Sequence, residues 1–187
     1  MTLIEHIEVG SGGAASIEFV SVGDIPSDYT DLYLVMSLRC TDTDQAALVY
    51  QFNASSSGYS ARNLVARDGS TVASGSWTTA TSNSITGGRA ADGWITPNTA
   101  TSNTFTNAGW YIPNYRSSVA KSWSMDALGE NNGTNDYGLE IIAGLWTGTD
   151  PITSILITPQ NSTDFMQYSS ATLYGITAGS DGTTTVS

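Results

Sequence analysis

The side chains that most often carry out chemistry are scarce in this sequence. Its 187 residues include one histidine, His6, and one cysteine, Cys40. A Ser-His-Asp triad would have to run through His6. That residue alternates with Ile4 and Glu8, so it is expected on the surface of a terminal strand. No G-x-S-x-G elbow is present, and the GSGG at 10–13 leads into no helical pattern that could hold a phosphate. A lone cysteine makes neither an internal disulfide nor a cysteine-based zinc site. Seventeen acids would suit a glycosidase, in which two carboxylates flank the scissile bond. Most of them fall in turns, among them Asp24, Asp28, Asp31, Asp42, Asp44, Asp92, Asp150, Asp164 and Asp181, where Asx side chains accept backbone N–H groups. Glu18, Glu140 and Asp126 fall inside strand patterns.

Asp42-Thr43-Asp44, and Asn131-Asn132 with Asn135-Asp136, put hard oxygens in loops as Ca²⁺ prefers. Neither has the spacing of a full calcium loop, and capped turns are expected instead. The sequons at Asn53, Asn132 and Asn161 lack an accompanying secretory signal and are taken as chance. No catalytic residue, metal ligand or cofactor is expected, and the chain reads as non-enzymatic. Aromatic faces offer another chemistry, since they stack on sugar rings. Tyr59, Trp77 and Trp94 lie in or beside a loop-rich region and are the candidate glycan contacts. Trp110, Trp123 and Trp146 sit in strand patterns and are expected in the core.

Charge and composition narrow the partners. Six basic residues against seventeen acids give a net charge of -11, with Lys121 the single lysine. Phosphate backbones are bound by clustered basic side chains, so neither nucleic acid nor an anionic membrane surface is an expected partner. The first ten residues carry no Lys or Arg, no apolar run follows them, and no secretory signal is expected. No stretch approaches the ~20 apolar residues of a spanning helix. Ser and Thr number 25 each, with 19 Gly and 11 Asn, while charged residues are 12%, about half the usual ~25%. That balance favours pleated strands and turns over helices.

The recurrent period is two. In 31–39, Leu32, Leu34, Met36 and Leu38 share one face. In 47–53, Leu48, Tyr50 and Phe52 do the same, and the polar turn at 41–45 predicts a hairpin between these two strands. Further strands are predicted at 2–9, 16–21, 59–66, 104–112, 118–127, 139–146, 152–158 and 170–177. The fold class is all-β: a β-sandwich, jelly-roll-like, with one long loop-rich excursion over 69–101. Residues 1–13 form an N-terminal strand and Gly linker that could act as a contact arm. Residues 14–177 form a single sandwich domain, and 178–187 an extended tail. Large side chains in the arm and the excursion, namely Leu3, Ile4, Ile7, Trp77, Trp94 and Ile95, are the candidate interface.

Five segments in order carry a resemblance: SIEFVSVGDIPSDYTDLYLVMSLR (16–39), YQFNASSSGYS (50–60), IPNYRSSVAKS (112–122), GLWTGTDPITSILI (144–157) and SSATLYGI (169–176). Together they resemble a family of tailed-phage virion proteins. Phe19, Ile25, Pro26, Tyr29, Leu32 and Arg39 match its first element. Phe52, Asn53, Tyr59 and Ser60 match the second, Ile112, Asn114 and Tyr115 the third, and residues 171–176 the last. The resemblance implies a structural component of a phage particle, a capsid decoration (cement) or minor virion protein. Its alternative is a receptor- or glycan-binding module of a tail fibre. The implied partners are other virion proteins, the major capsid protein or tail proteins. A homo-oligomer is implied too, a trimer by analogy, located in the virion and assembled in the bacterial host cytoplasm. The resemblance brings no active site with it.

Overall fold

Eleven strands and one 3-10 turn make up the regular structure of residues 1–19, 25–44, 46–67, 71–79, 95–130, 132 and 138–177, the residues that the computed structural model describes. The strands are β1 (Thr2–Glu8), β2 (Ile17–Phe19), β3 (Asp31–Leu38), β4 (Leu48–Phe52), β5 (Tyr59–Arg67) and β6 (Thr71–Thr79). They continue with β7 (Thr106–Ile112), β8 (Lys121–Gly129), β9 (Gly138–Trp146), β10 (Ile155–Pro159) and β11 (Ser170–Ile176). Eight form one sheet in the order β1-β11-β3-β7-β8-β9-β5-β6, and three form a second, β2-β10-β4. Every pairing is antiparallel. The protein is therefore the expected all-β sandwich, with unequal layers.

Period-two patterning sets the faces. Along β3, Leu32, Leu34, Met36 and Leu38 are all at most 2% exposed, whereas Val35 between them is 39% exposed. β8 and β9 alternate just as strictly, burying Lys121, Trp123, Met125 and Ala127, and Glu140, Ile142, Gly144 and Trp146. The small sheet answers from the other side with Leu48, Tyr50 and Phe52 on β4 and Ile155 and Ile157 on β10. Six rings meet between the layers. Tyr50 packs edge to face against Tyr59, Trp110 and Trp123, with centroids 4.9–5.3 Å apart, and Phe52 contacts Trp110 and Trp146 at 5.3 and 5.6 Å. Such pairs add about 0.5–1.5 kcal/mol each beyond the area they bury. Trp110, Trp123 and Trp146 are core residues, as their strand patterns predict.

The predicted hairpin of β3 with β4 does not form. β3 lies between β11 and β7, while β4 pairs with β10 in the other sheet. Both strands have one apolar face, and the polar corner between them carries the chain from one layer to the other, so those faces oppose each other. The corner is pinned by bridges of Arg39 to Thr96, Cys40 to Phe165 and Ala46 to Ile95.

Within 69–101, β6 is a nine-residue strand paired residue for residue with β5. An edge strand with one half-covered face needs few apolar residues, which is why so much Ser and Thr is tolerated there. Residues 80–94, with Trp94, lie outside the described residues, as does the tail 178–187. At the other edge, β1 pairs with β11 of its own sheet, with an irregularity between Leu3 and Glu5. No helix among the described residues is long and apolar enough to cross a membrane.

Candidate functional site

Many of the residues that carry the resemblance, Arg39 excepted, meet at one end of the sandwich and hold one another. Asp31, at the start of β3, accepts the Tyr111 hydroxyl and the Asn114 backbone N–H, both at 2.9 Å. The Tyr115 hydroxyl donates to the carbonyl of Pro26. Asn53, with φ at 52°, uses its side-chain oxygen to accept the N–H groups of Thr153 and Ser154 at 2.8 and 3.2 Å. Its amide donates to the Pro151 carbonyl at 2.7 Å. The Tyr29 ring lies flat against Gly175, where a Cβ would overlap it. These contacts lock the loops between strands.

Lys121 belongs to the same end. It is 1% exposed, and its ammonium donates to the carbonyls of Ser117, Val119 and Thr149 at 2.7, 2.5 and 3.4 Å. The ammonium stands 5.9 Å from the Trp146 ring centroid. Burial holds its pKa below the usual lysine value, with Asp150 opposing that. A buried cation facing carbonyls and an aromatic ring anchors a turn.

Arg39 performs the same task at the opposite end. Nη1 donates to the carbonyls of Thr101 and Thr104 at 2.8 and 2.9 Å, and Nη2 to those of Asn98 and Ala100 at 3.1 and 2.9 Å. The planar fork thereby organises the loop at 98–104 from inside. Over it lies a surface hollow of about 300 Å³, with Asn98, Ser102, Asn103, Phe105, Gln167 and Tyr168 among its walls. Tyr168 is 62% exposed and has φ at 71°. It occupies the third position of the turn closed by Ser169 N–H on the Met166 carbonyl at 3.0 Å, a place that favours glycine. The chain thus holds a bare aromatic ring beside amide and hydroxyl groups, on backbone that costs about 1–3 kcal/mol. Sequence reasoning missed this hollow. The only signal was a tyrosine in the short polar link before β11.

The candidate residues named from sequence are scattered. Tyr59 is 1% exposed in the aromatic core and is not a glycan contact. It begins a strand whose first inward position it fills, and its hydroxyl is used internally by Phe52 N–H and Ser55 O. Ile95 is fully buried and bridges to Ala46, so it is core and not interface. A single isoleucine on the return from the excursion is enough to seal the corner. Leu3 is 56% exposed beside its cross-strand partner Tyr174, while Ile4 and Ile7 are half-buried against the core. Trp77 pairs with Ala61 through its backbone, and its side chain lies outside the described residues, as does all of Trp94.

The three strand acids do not share a cleft. Glu140 is buried on the inner face of β9, where Asn63 Nδ2 donates to it at 2.5 Å. Asp126 is on the outer face of β8, and Glu18 is exposed on β2. His6 Nδ1 lies 2.8 Å from Thr172 Oγ1 on the exposed edge. Asp42 accepts Asp44 N–H at 3.1 Å and the Asn161 amide at 3.0 Å. Burial would raise its pKa, but these donors outweigh it and hold the carboxyl below its ordinary value. Asn53, Asn132 and Asn161 all have positive φ, so turn geometry accounts for the asparagine of each sequon. Among the described residues no three His, Cys, Asp or Glu side chains are grouped as metal ligands would be. No protein-family model, curated protein or solved structure matches the chain.

Proposed function

We propose that this chain is a non-enzymatic structural component of a tailed-phage particle, a capsid decoration or minor virion protein. Its partners are then the major capsid protein or tail proteins, and its location is the virion. The observation that carries this reading is the convergence of the resembling segments. Pro26 with Tyr115, Tyr29 with Gly175, Asp31 with Asn114, and Asn53 with the 151–154 loop are contacts between segments far apart in sequence. The net charge of -11 supports the reading as well, since it keeps many copies soluble before assembly.

A second reading, a receptor- or glycan-binding module of a tail fibre, is favoured by the exposed Tyr168 ring over its amide-lined hollow. The test is quantitative mass spectrometry of purified particles from the phage that encodes the chain, with labelled antibody localisation. Hundreds of copies over the head support decoration, and a few copies at the tail tip support the second reading. Absence from particles, with abundant protein left in the lysate, would overturn both.

A further inference from the structure

The inner face of the eight-stranded sheet is covered by the small sheet, whereas no described strand covers its outer face. On that outer face β6, β5, β9 and β8 present six exposed aliphatic side chains: Leu64, Val72, Leu128, Leu139, Ile141 and Leu145, from 37 to 71% exposed. They are neighbours by register. Leu64 pairs with Ile141, Leu139 pairs with Leu128 and Ala66, and Ala66 pairs with Val72. A contiguous patch of this kind on a soluble domain marks an interaction surface.

Charge indicates what covers it. Among the described outward side chains of these four strands, Arg62 and Asp126 are the two charged ones, and neither is ion-paired with another described residue. They flank β9 diagonally. Arg62 pairs with Ala143 on one side of it, and Asp126 pairs with Ile141 on the other. In a chain of net charge -11, this is a neutral surface with one charge of each sign. Two copies repel elsewhere but can approach here.

We infer that the occupant is a second copy of this chain, packed face to face about a two-fold axis through the Ile141 region. An axis lying in the interface, perpendicular to the line from Arg62 to Asp126, sets Arg62 over Asp126 of the partner subunit, and the reverse contact follows by symmetry. The aliphatic side chains then interdigitate between sheets about 10 Å apart, as in the core of a sandwich. The dimer replaces the trimer suggested by analogy, and it does not depend on a place in the particle.

Sedimentation velocity of the purified chain across micromolar concentrations tests this. A two-chain species is expected. Ile141→Glu and, independently, Leu64→Glu should each weaken it by about 100-fold or more, because the introduced carboxylate would be buried unpaired. Both positions are exposed in the single chain, so far-UV circular dichroism and melting of the monomer should hardly change. Arg62→Asp or Asp126→Arg alone should weaken association about tenfold or more, and the double exchange should restore it. A wild-type monomer at every concentration would overturn the inference. So would a trimer, an oligomer indifferent to both glutamates, or a double exchange that fails to rescue.

Discussion

Tyr50 and Tyr59 touch edge to face at 5.2 Å, yet their hydroxyls are in opposite situations. The Tyr59 hydroxyl accepts Phe52 N–H at 2.9 Å and donates to Ser55 O at 3.2 Å. The Tyr50 hydroxyl is buried with no hydrogen-bond partner among the described residues. Removing a paired hydroxyl loses a bond and strands its partner, whereas removing an unpaired one loses nothing. Tyr59→Phe should cost about 1–2 kcal/mol in denaturant titration, and Tyr50→Phe should be neutral or slightly stabilising. Equal losses would mean that Tyr50 is hydrogen-bonded in solution. Ionisation offers a second check. Burial pushes the Cys40 thiol from 9.0 up to about 11 and the Tyr59 phenol from 10.0 up to about 12. Both raised groups favour the fold fully while the unfolded chain is also protonated, below about pH 9. As pH rises from there to about 12, the unfolded chain loses these protons first, and each group withdraws about 2–3 kcal/mol. Stability should therefore fall steeply over that alkaline window, and Cys40→Ala should flatten the early part of the fall. An unchanged slope in that variant would remove Cys40 from the account.

At the scale of the element, β3 is the most informative strand, since it is central and flanked by β11 and β7. Leu34 is fully buried and Val35 is 39% exposed. Leu34→Ala should cost about 2–5 kcal/mol by lost burial and the cavity left behind, and Val35→Ala under about 1 kcal/mol. Comparable losses would mean that the outer face is covered at that point. Gly144 shows how an element accommodates its neighbours. Its cross-strand partner Trp123 lies directly over it, where a Cβ would overlap the indole. Glycine there weakens the strand locally, and the covering ring offsets that loss.

At the scale of the molecule, the two sheets share one core. Phe52 of the small sheet stacks on Trp110 of the large one at 5.3 Å, and Tyr50 reaches Trp123. Neither layer has an apolar filling of its own, so neither should persist without the other. Tryptophan fluorescence and far-UV circular dichroism should thus report a single coincident transition. A fluorescence change preceding the loss of strand signal would mean that β2-β10-β4 opens as a separate unit.

Much of this architecture was legible in the sequence. Strict alternation located ten of the strands within a few residues, and it identified the inward faces of β3 and β4 and the core tryptophans, because apolar burial acts residue by residue along a strand. The arrangement among strands was not legible. Backbone N–H and C=O groups are nearly alike at every position, so alternation says which way a strand faces and not which strand it bonds to. That is why β3 and β4 look like a hairpin and are instead opposed layers. The same limit hid the sites. Tyr59 and Ile95 appear exposed because of the loops around them, but burial depends on which distant strands close over a residue. Arg39 was visible as a motif residue, while its four carbonyl partners at 98–104 exist only once the corner at Thr96 folds back onto it. The sequence by itself determined an acidic, all-β chain with an aromatic core. Tertiary structure decided which loops meet at each end and which aliphatic face is left bare, since both follow from pairings between residues far apart along the chain.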